Sequence, residues 1–351
     1  MPCSRIISTS TLIIATLLSK GEGHVFLVEE PEIHMHPAYI KGLAHVLEEM
    51  IKERNIQVIA ITQSPGLVTA IRDKSSIIGV RKVYKEVEIF ASPKLVTETY
   101  KPYHDAEGEY LINTLAYELG LSPGYFFFLD AAILVEGESD RILLRHFIDI
   151  MRETKRLMYL PRISYDILKY RHDTLKTMLR VLHKMFRIKT FIITDNDEQG
   201  RKSAREAMEM GFQENKEVFT LSRKDMLCFI PPEIMYNTLK DIIIEVLGVS
   251  LDKLEEIEVK TNTKRNAMEI LEEIKEYGMV KNNTDLLRLL IYGVSNKVPE
   301  EIMKSRGWRG RDLYHTLKPI IAKRVIKSLK EVPDEIAGIL VIIDDNVREV
   351  A

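Results

Sequence analysis

Three times in this chain a run of apolar residues stops at acidic ones: "HVFLVEE" over 24–30, "AAILVEGESD" over 131–140 and "TFIITDNDEQG" over 190–200. Short apolar runs without polar alternation read as strands buried on both faces, the habit of parallel sheets. In such sheets the carboxyl ends share an edge, and ligands bind beyond that edge. Carboxylates crowded there repel one another unless a cation neutralises them. The expected class is therefore α/β, with acidic sites at strand ends.

The intervening segments agree with that class. "YIKGLAHVLEEMIKER" (39–54) has amphipathic helical spacing and leads into the apolar "QVIAI" (57–61). Together with the first run these make a parallel βαβ unit of two buried strands. "SIIGVRKVYKEVEIFASP" (76–93) reads as a hairpin, and the polar, aromatic stretch from Thr97 to Gly124 as a junction between domains. After the second acidic run, "RILLRHFIDIM" (141–151) has helical periodicity. Residues 232–310 read mostly as helices, and "YHTLKPIIAKRVIKSLKEVP" (314–333) as a further one with Pro319 in its first turn. The expected domains are 1–96, a linker over 97–127, and 128–351 with its helical region at 232–310.

At 351 residues the chain is long enough for two domains, and 45% hydrophobic with 29% charged residues argues against global disorder. The net charge of −2 conceals a basic run: residues 151–190 hold eleven Lys and Arg against three acids. Such a run attracts polyanions if its charges share a face. Cys3 and Cys228 are too few for a disulfide framework or a zinc site, which fits a reducing, cytoplasmic setting. "IISTSTLIIATLL" (6–18) is shorter than a membrane span and lacks a cleavage pattern, so a buried helix is expected there and no membrane association.

Within "LVEGESD", Glu136 ends the strand, Gly137 permits a tight turn and Asp140 falls at the start of the next helix. Within "IITDND", Asp195 and Asp197 are two apart, so in extended backbone they project to the same side. If the two strands are neighbours, four carboxylates converge on a site suited to Mg²⁺ or Mn²⁺. Glu138 and Glu198 are expected to face solvent, and Asp344 and Asp345 in "IDDN" to form a polar C-terminal turn. His34, His36 and His315 have no metal-ligand spacing with one another.

The pattern strand-Glu-Gly-x-x-Asp followed by strand-Asp-x-Asp resembles Toprim domains, which occur in topoisomerases, primases and some nucleases. "LGLSPGYFFFLDAAILVEGESD" (119–140) resembles the entry into the Toprim domain of the OLD (overcoming lysogenization defect) family of nucleases. "HVFLVEEPEIHMHP" (24–37) resembles the Walker B and D-loop region of ABC-type ATPases, with His36 in the D-loop pattern, and "AITQSP" (60–65) the segment that carries their switch histidine. The OLD family joins these two parts in this order. The resemblance implies a truncated ABC-type ATPase lobe followed by a Rossmann-like Toprim domain with a helical insertion. It implies a metal-dependent DNA endonuclease, of DNA repair or phage defence, with Glu136, Asp140, Asp195 and Asp197 holding two Mg²⁺ or Mn²⁺ ions and Lys318 near the scissile phosphate. Family members carry another metal-binding glutamate in the segment matching "LSRKDMLCFI" (221–230); that position here is Leu227, with Asp225 as the candidate substitute.

In the first domain the same resemblance assigns Glu29 to Mg²⁺ and Glu30 to the attacking water, and places Gln63 where the switch histidine would be. No G-x-x-x-x-G-K-[ST] phosphate loop occurs in the chain, and "MPCSRIISTST" (1–11) looks like a signature start without its glycines. ATP is thus expected to bind only where a separate polypeptide supplies the loop. The expected partners are DNA, such a polypeptide and, by analogy, a second copy of the chain. The alternative is a non-catalytic DNA-binding or regulatory subunit that completes an ATPase with that polypeptide. A topoisomerase or primase ranks last, for want of zinc-ribbon cysteines or a separate tyrosine-bearing cleavage domain.

Overall fold

The computed structural model describes residues 13–16, 19, 23–33, 35, 37–71, 78–83, 86–91, 123–259, 265–281, 284–295, 297–306, 308 and 313–350. The signature-like start, Cys3, His34, His36 and most of the 97–127 stretch lie outside them. The last two residues aside, the chain forms two compact units, one of residues 1–130 with 177–189 and the other of 131–176 with 190–349.

In the first unit β1 (Val25–Glu29) and β2 (Gln57–Ile61) pair in parallel through the crossover helix α1 (Pro37–Arg54). The apolar stripe of α1 (Leu43, Leu47, Met50) and Ile56 packs with Phe26 and Val58, and with Ile13 and Ile14 of an N-terminal helical turn. The βαβ unit is as expected, but its strands are not buried on both faces. Period-two alternation turns Phe26 and Val28 inward and leaves Val25, Leu27, Ile59 and Ile61 between 55% and 78% exposed. The helix α2 (Pro65–Ala70) begins where Ser64 Oγ accepts from Leu67 N at 3.2 Å, with Pro65 in its first turn. The strands β3 (Ile78–Val83) and β4 (Glu86–Ala91) form the expected antiparallel hairpin. Phe126 and Phe127, in the 3₁₀ turn Pro123–Phe128, meet the Phe186 ring at centroid distances of 5.5 and 5.0 Å.

The second unit is built on a four-stranded sheet of order β6-β5-β7-β8, from β5 (Ala131–Val135), β6 (Tyr165–Lys169), β7 (Lys189–Thr194) and β8 (Val218–Thr220). β5 runs parallel to β6, and β7 to β8. All of β5 is buried, and β7 from Thr190 onward, which explains the unbroken apolar runs. α3 (Glu138–Glu153) follows β5 and buries Leu143, Leu144, Phe147, Ile148 and Met151. α4 (Glu198–Glu209) follows β7.

The helical region contains α5 (Pro232–Asp241), α6 (Ala267–Tyr277), α7 (Leu286–Ser295) and α8 (Glu300–Ser305), then α9 (Leu313–Val325) and α10 (Asp334–Asn346). Two ladders of two residues per strand, 258–259 with 265–266 and 280–281 with 284–285, interrupt it. Both are too short to carry a readable alternation. Asn266 and Glu269 close a capping box at the start of α6. Among the described residues no helix is long and apolar enough to cross a membrane.

Two expectations fail here. Pro319 lies inside α9, not in its first turn, because the buried stripe Leu313, Leu317 and Ile321 extends the helix toward its N-terminus. Asp344 and Asp345 are within α10, not in a terminal turn. Asp344 is buried and accepts from the backbone N–H groups of Met158, Tyr159 and Leu160 at 2.9, 2.9 and 2.7 Å. It is a structural anchor that satisfies the otherwise orphaned donors of a 3₁₀ turn.

Candidate functional site

Because β5 and β7 are neighbours, their carboxyl ends deliver Glu136 and Asp195 to one place. The Asp195 N–H donates to Glu136 Oε1 at 3.0 Å, and the Tyr170 hydroxyl donates to the same oxygen at 3.1 Å. His172 Nε2 stands 3.5 Å from Glu136 Oε2, and its Nδ1 lies 2.8 Å from the Ser203 hydroxyl. Both oxygens of Glu136 are therefore aimed by the short segment that follows β6. Burial raises the Glu136 carboxyl above the usual range.

Asp140, in the first turn of α3, is 3% exposed, and its Oδ1 has no hydrogen-bond partner. Burial, reinforced by Asp225 and Glu136, pushes its pKa up to about 6. Asp195 is pushed up to about 10, by burial first and then by Asp140, Asp225 and Glu136. Asp225 caps the 3₁₀ turn Met226–Phe229 and accepts from Lys318 Nζ at 2.6 Å. Burial alone would raise Asp225, but Lys318 outweighs it and holds the carboxyl below the usual range. The Cys228 thiol, 3.2 Å from Asp225 Oδ1, is pushed up by burial.

Glu136, Asp140, Asp195, Asp197, Asp225 and Lys318 all line one cavity of about 820 Å³, whose rim adds Lys169, Arg171, His172, Lys224 and Arg288. Its donors are carboxylate oxygens, one of them buried and unpartnered, which is the chemistry of a hard-cation site. The acids fit a divalent ion in kind. Among the described residues, however, no group of three or more His, Cys, Asp or Glu side chains stands in metal-holding geometry. Asp225 is turned to Lys318, and Asp197 to the N–H of Gly200 at 2.8 Å.

Several local expectations change. Asp195 and Asp197 do not share a strand, since β7 ends at Thr194 and Asp197 is the N-cap of α4. Gly137 is not there for a turn, because its φ of −119° is extended backbone. A Cβ on it would instead stand 2.5 Å from Asp140 Oδ2. Gly200, which drew no attention in the sequence, is more tightly confined: a Cβ would lie 2.0 Å from the Asp195 carbonyl oxygen and 2.7 Å from Glu136 Oε1. Glu198 is exposed, but Glu138 is half-buried and pairs with Arg141 at 2.8 Å. Leu227 is fully buried, so nothing at that position reaches the cavity as a ligand. Only Lys169 and Arg171 of the basic run reach the rim, and the run divides between the two units.

In the first unit Glu29 ends β1 and Glu30 follows it at a φ of +43°, a conformation that costs a non-glycine residue about 1–3 kcal/mol. The Glu30 N–H donates to Ile61 O at 2.7 Å, and Gln63 is exposed two residues beyond β2. The three residues thus gather at the carboxyl edge of the β1–β2 pair.

A parallel sheet that presents carboxylates at the ends of two adjacent central strands has the layout that the Toprim resemblance implies. Residues 127–197 match the family described as overcoming lysogenization defect protein-like, TOPRIM domain, and residues 8–69 match that described as AAA domain, putative AbiEii toxin, Type IV TA system. The chain thus carries a segment similar to an AAA-type ATPase domain and, after it, a segment similar to the OLD-like Toprim domain. Among solved structures, the C-terminal region of the Xanthomonas campestris pv. campestris OLD protein is 15% identical, over 63% of this chain and 97% of that one, with a TM-score of 0.40. The C-terminal region of the Burkholderia pseudomallei OLD protein is 15% identical over 62% and 98%, with a TM-score of 0.39. No functionally curated protein matches the chain in sequence.

Proposed function

We propose that this protein is a Mg²⁺- or Mn²⁺-dependent DNA endonuclease that hydrolyses phosphodiester bonds in the cavity at the ends of β5 and β7. The observation that carries this reading is Asp140. Its buried carboxylate has an unpartnered oxygen and is grouped with Glu136, Asp195 and Asp225, with the Lys318 ammonium beside them. A cluster of this kind relieves its mutual repulsion either by keeping protons or by taking up a cation.

Glu136, Asp140, Asp195, Asp197 and Asp225 would hold the ions, which when bound polarise a phosphoryl oxygen and activate water. Tyr170 and His172 aim Glu136, so the first ligand is positioned before any ion arrives. Lys318 offers its charge to a phosphate oxygen as negative charge develops there. Asp225 keeps that ammonium pointed into the cavity. The test is nicking of supercoiled plasmid with Mn²⁺. Wild type should cut, and Asp195→Asn, Glu136→Gln and Lys318→Met should lose about 10²-fold or more. Intact plasmid with wild type over a wide concentration range overturns the reading.

A second reading, a non-catalytic subunit that completes an ATPase with a separate phosphate-loop polypeptide, is favoured by one observation. The outer face of the β1–β2 pair is apolar and exposed at Val25, Leu27, Ile59 and Ile61, and parallel strands are ordinarily covered on both faces. Co-purification with an ATP-hydrolysing partner, and no cleavage by either the chain or the complex, would select it.

A further inference from the structure

The acids of the cavity come from the ends of the strands and the turns and helices that follow them, but one wall comes from the helical region, and that wall carries an arginine that closes no ion pair among the described residues. Arg288, exposed on α7, lines the cavity. Lys318, Lys224 and Arg171 on the same surface are each paired, with Asp225, Asp285 and Asp173. Among the described residues Arg288 closes no ion pair with a carboxylate. Its guanidinium instead rests on two tyrosine rings, 5.4 Å from the centroid of Tyr292 and 6.0 Å from that of Tyr314. Its side chain also hydrogen-bonds to Tyr292, and the planar fork held in this way keeps further N–H donors for a ligand.

The platform is itself fixed to the cavity wall. Asp285 caps α7 by accepting from Arg288 N at 2.9 Å, and its other oxygen accepts from the Tyr314 hydroxyl at 3.1 Å and from Lys224. Tyr314 is buried, and Lys318 Nζ stands over the same ring at 5.6 Å. Arg288 and Lys318 are therefore separated by no more than three or four nucleotides of a duplex, at roughly 3.4 Å per strand phosphate.

We infer that Arg288 is a phosphate anchor: it binds a backbone phosphate of the nucleic acid within a few nucleotides of the one beside Lys318, and so sets which phosphodiester lies over the acids. This rests on the reading that the cavity receives nucleic acid, and it adds a residue from outside the sheet and outside the basic run. Asp285 and Tyr314 act through Arg288 as positioning residues.

The experiment measures binding separately from cleavage. The full chain in Ca²⁺, which occupies oxygen sites without supporting rapid hydrolysis, is titrated with fluorescent duplex DNA across a salt series. Arg288→Gln should weaken binding about tenfold and reduce the salt slope by about one. Arg306→Gln removes the same charge from another ring-stacked arginine, which lies over Trp308 and outside the cavity lining. That variant should bind as wild type does, and thermal melts confirm that both variants are folded. Unchanged affinity and slope in Arg288→Gln, equal losses in the two variants, or no DNA binding by wild type would each overturn the assignment. If Arg288→Gln alone loses affinity while wild type never nicks plasmid with Mn²⁺, the anchor stands and the hydrolytic reading fails.

Discussion

Lys318 Nζ lies 2.6 Å from Asp225 Oδ2, although ninety-three residues separate the two in the chain. The pair joins α9 to the loop after β8, and both partners are largely buried at 17% and 2% exposure. Breaking a buried pair from one side strands the other charge, which costs about 3–5 kcal/mol. Lys318→Met should therefore lower the denaturant midpoint clearly, and Lys318→Met with Asp225→Asn should recover most of the loss. A double variant as unstable as the single one would show that the pair contributes only packing.

Asp140 and Asp195 make the metal-free protein sensitive to pH. Their folded-state values, about 6 and about 10, lie above the unfolded carboxyl value of about 3.9. The folded chain then binds more protons than the unfolded one, so stability falls as pH rises above about 4. In chelator, melting temperature should drop between about pH 4 and pH 8, more steeply in wild type than in Asp195→Asn. Mn²⁺ should raise it most at the upper end. Parallel pH profiles for the two proteins in chelator would contradict this assignment.

Tyr170→Phe removes one donor to Glu136 and leaves the ring in place. Loss of such a supporting hydrogen bond typically weakens metal binding about 10- to 100-fold. Calorimetric titration with Mn²⁺ measures it directly, and unchanged affinity would mean that Glu136 needs no such support.

Gly200→Ala places a methyl group against the Asp195 carbonyl oxygen and Glu136 Oε1. Because one contact is backbone, relief requires α4 to shift away from the end of β7, at a cost of about 1–3 kcal/mol. Stability and Mn²⁺ affinity should fall together. A variant with wild-type affinity and midpoint would show that the start of α4 moves freely.

Much of this site was legible because its strands are buried on both faces. Glu136 and Asp195 end unbroken apolar runs, and that pattern alone announces a parallel-sheet edge. Asp140 was visible as a first-turn helix residue, and Asp225 as an acid close to Leu227. The misreadings share a cause: their meaning lies in distant partners. Asp344 looked like part of a polar C-terminal turn because the N–H groups it satisfies are about 185 residues away. Gly137 and Gly200 looked like turn residues, or like nothing, because their neighbours are side chains and backbone from other segments. Tyr170 and His172 left a faint trace, a polar aromatic pair just past an apolar strand. Arg288 left none, since no local pattern tells an arginine on a helix that it faces a cavity.

The proposed chemistry requires the carboxylates at the ends of β5 and β7 to grip a divalent ion. Crystals soaked in Mn²⁺ and measured at its absorption edge would locate that ion. Anomalous density is expected in the cavity, about 2.0–2.3 Å from carboxylate oxygens of Glu136 and Asp195, with Asp140 drawn toward it. Density only elsewhere, or none with the protein saturated, would rule the ion site out.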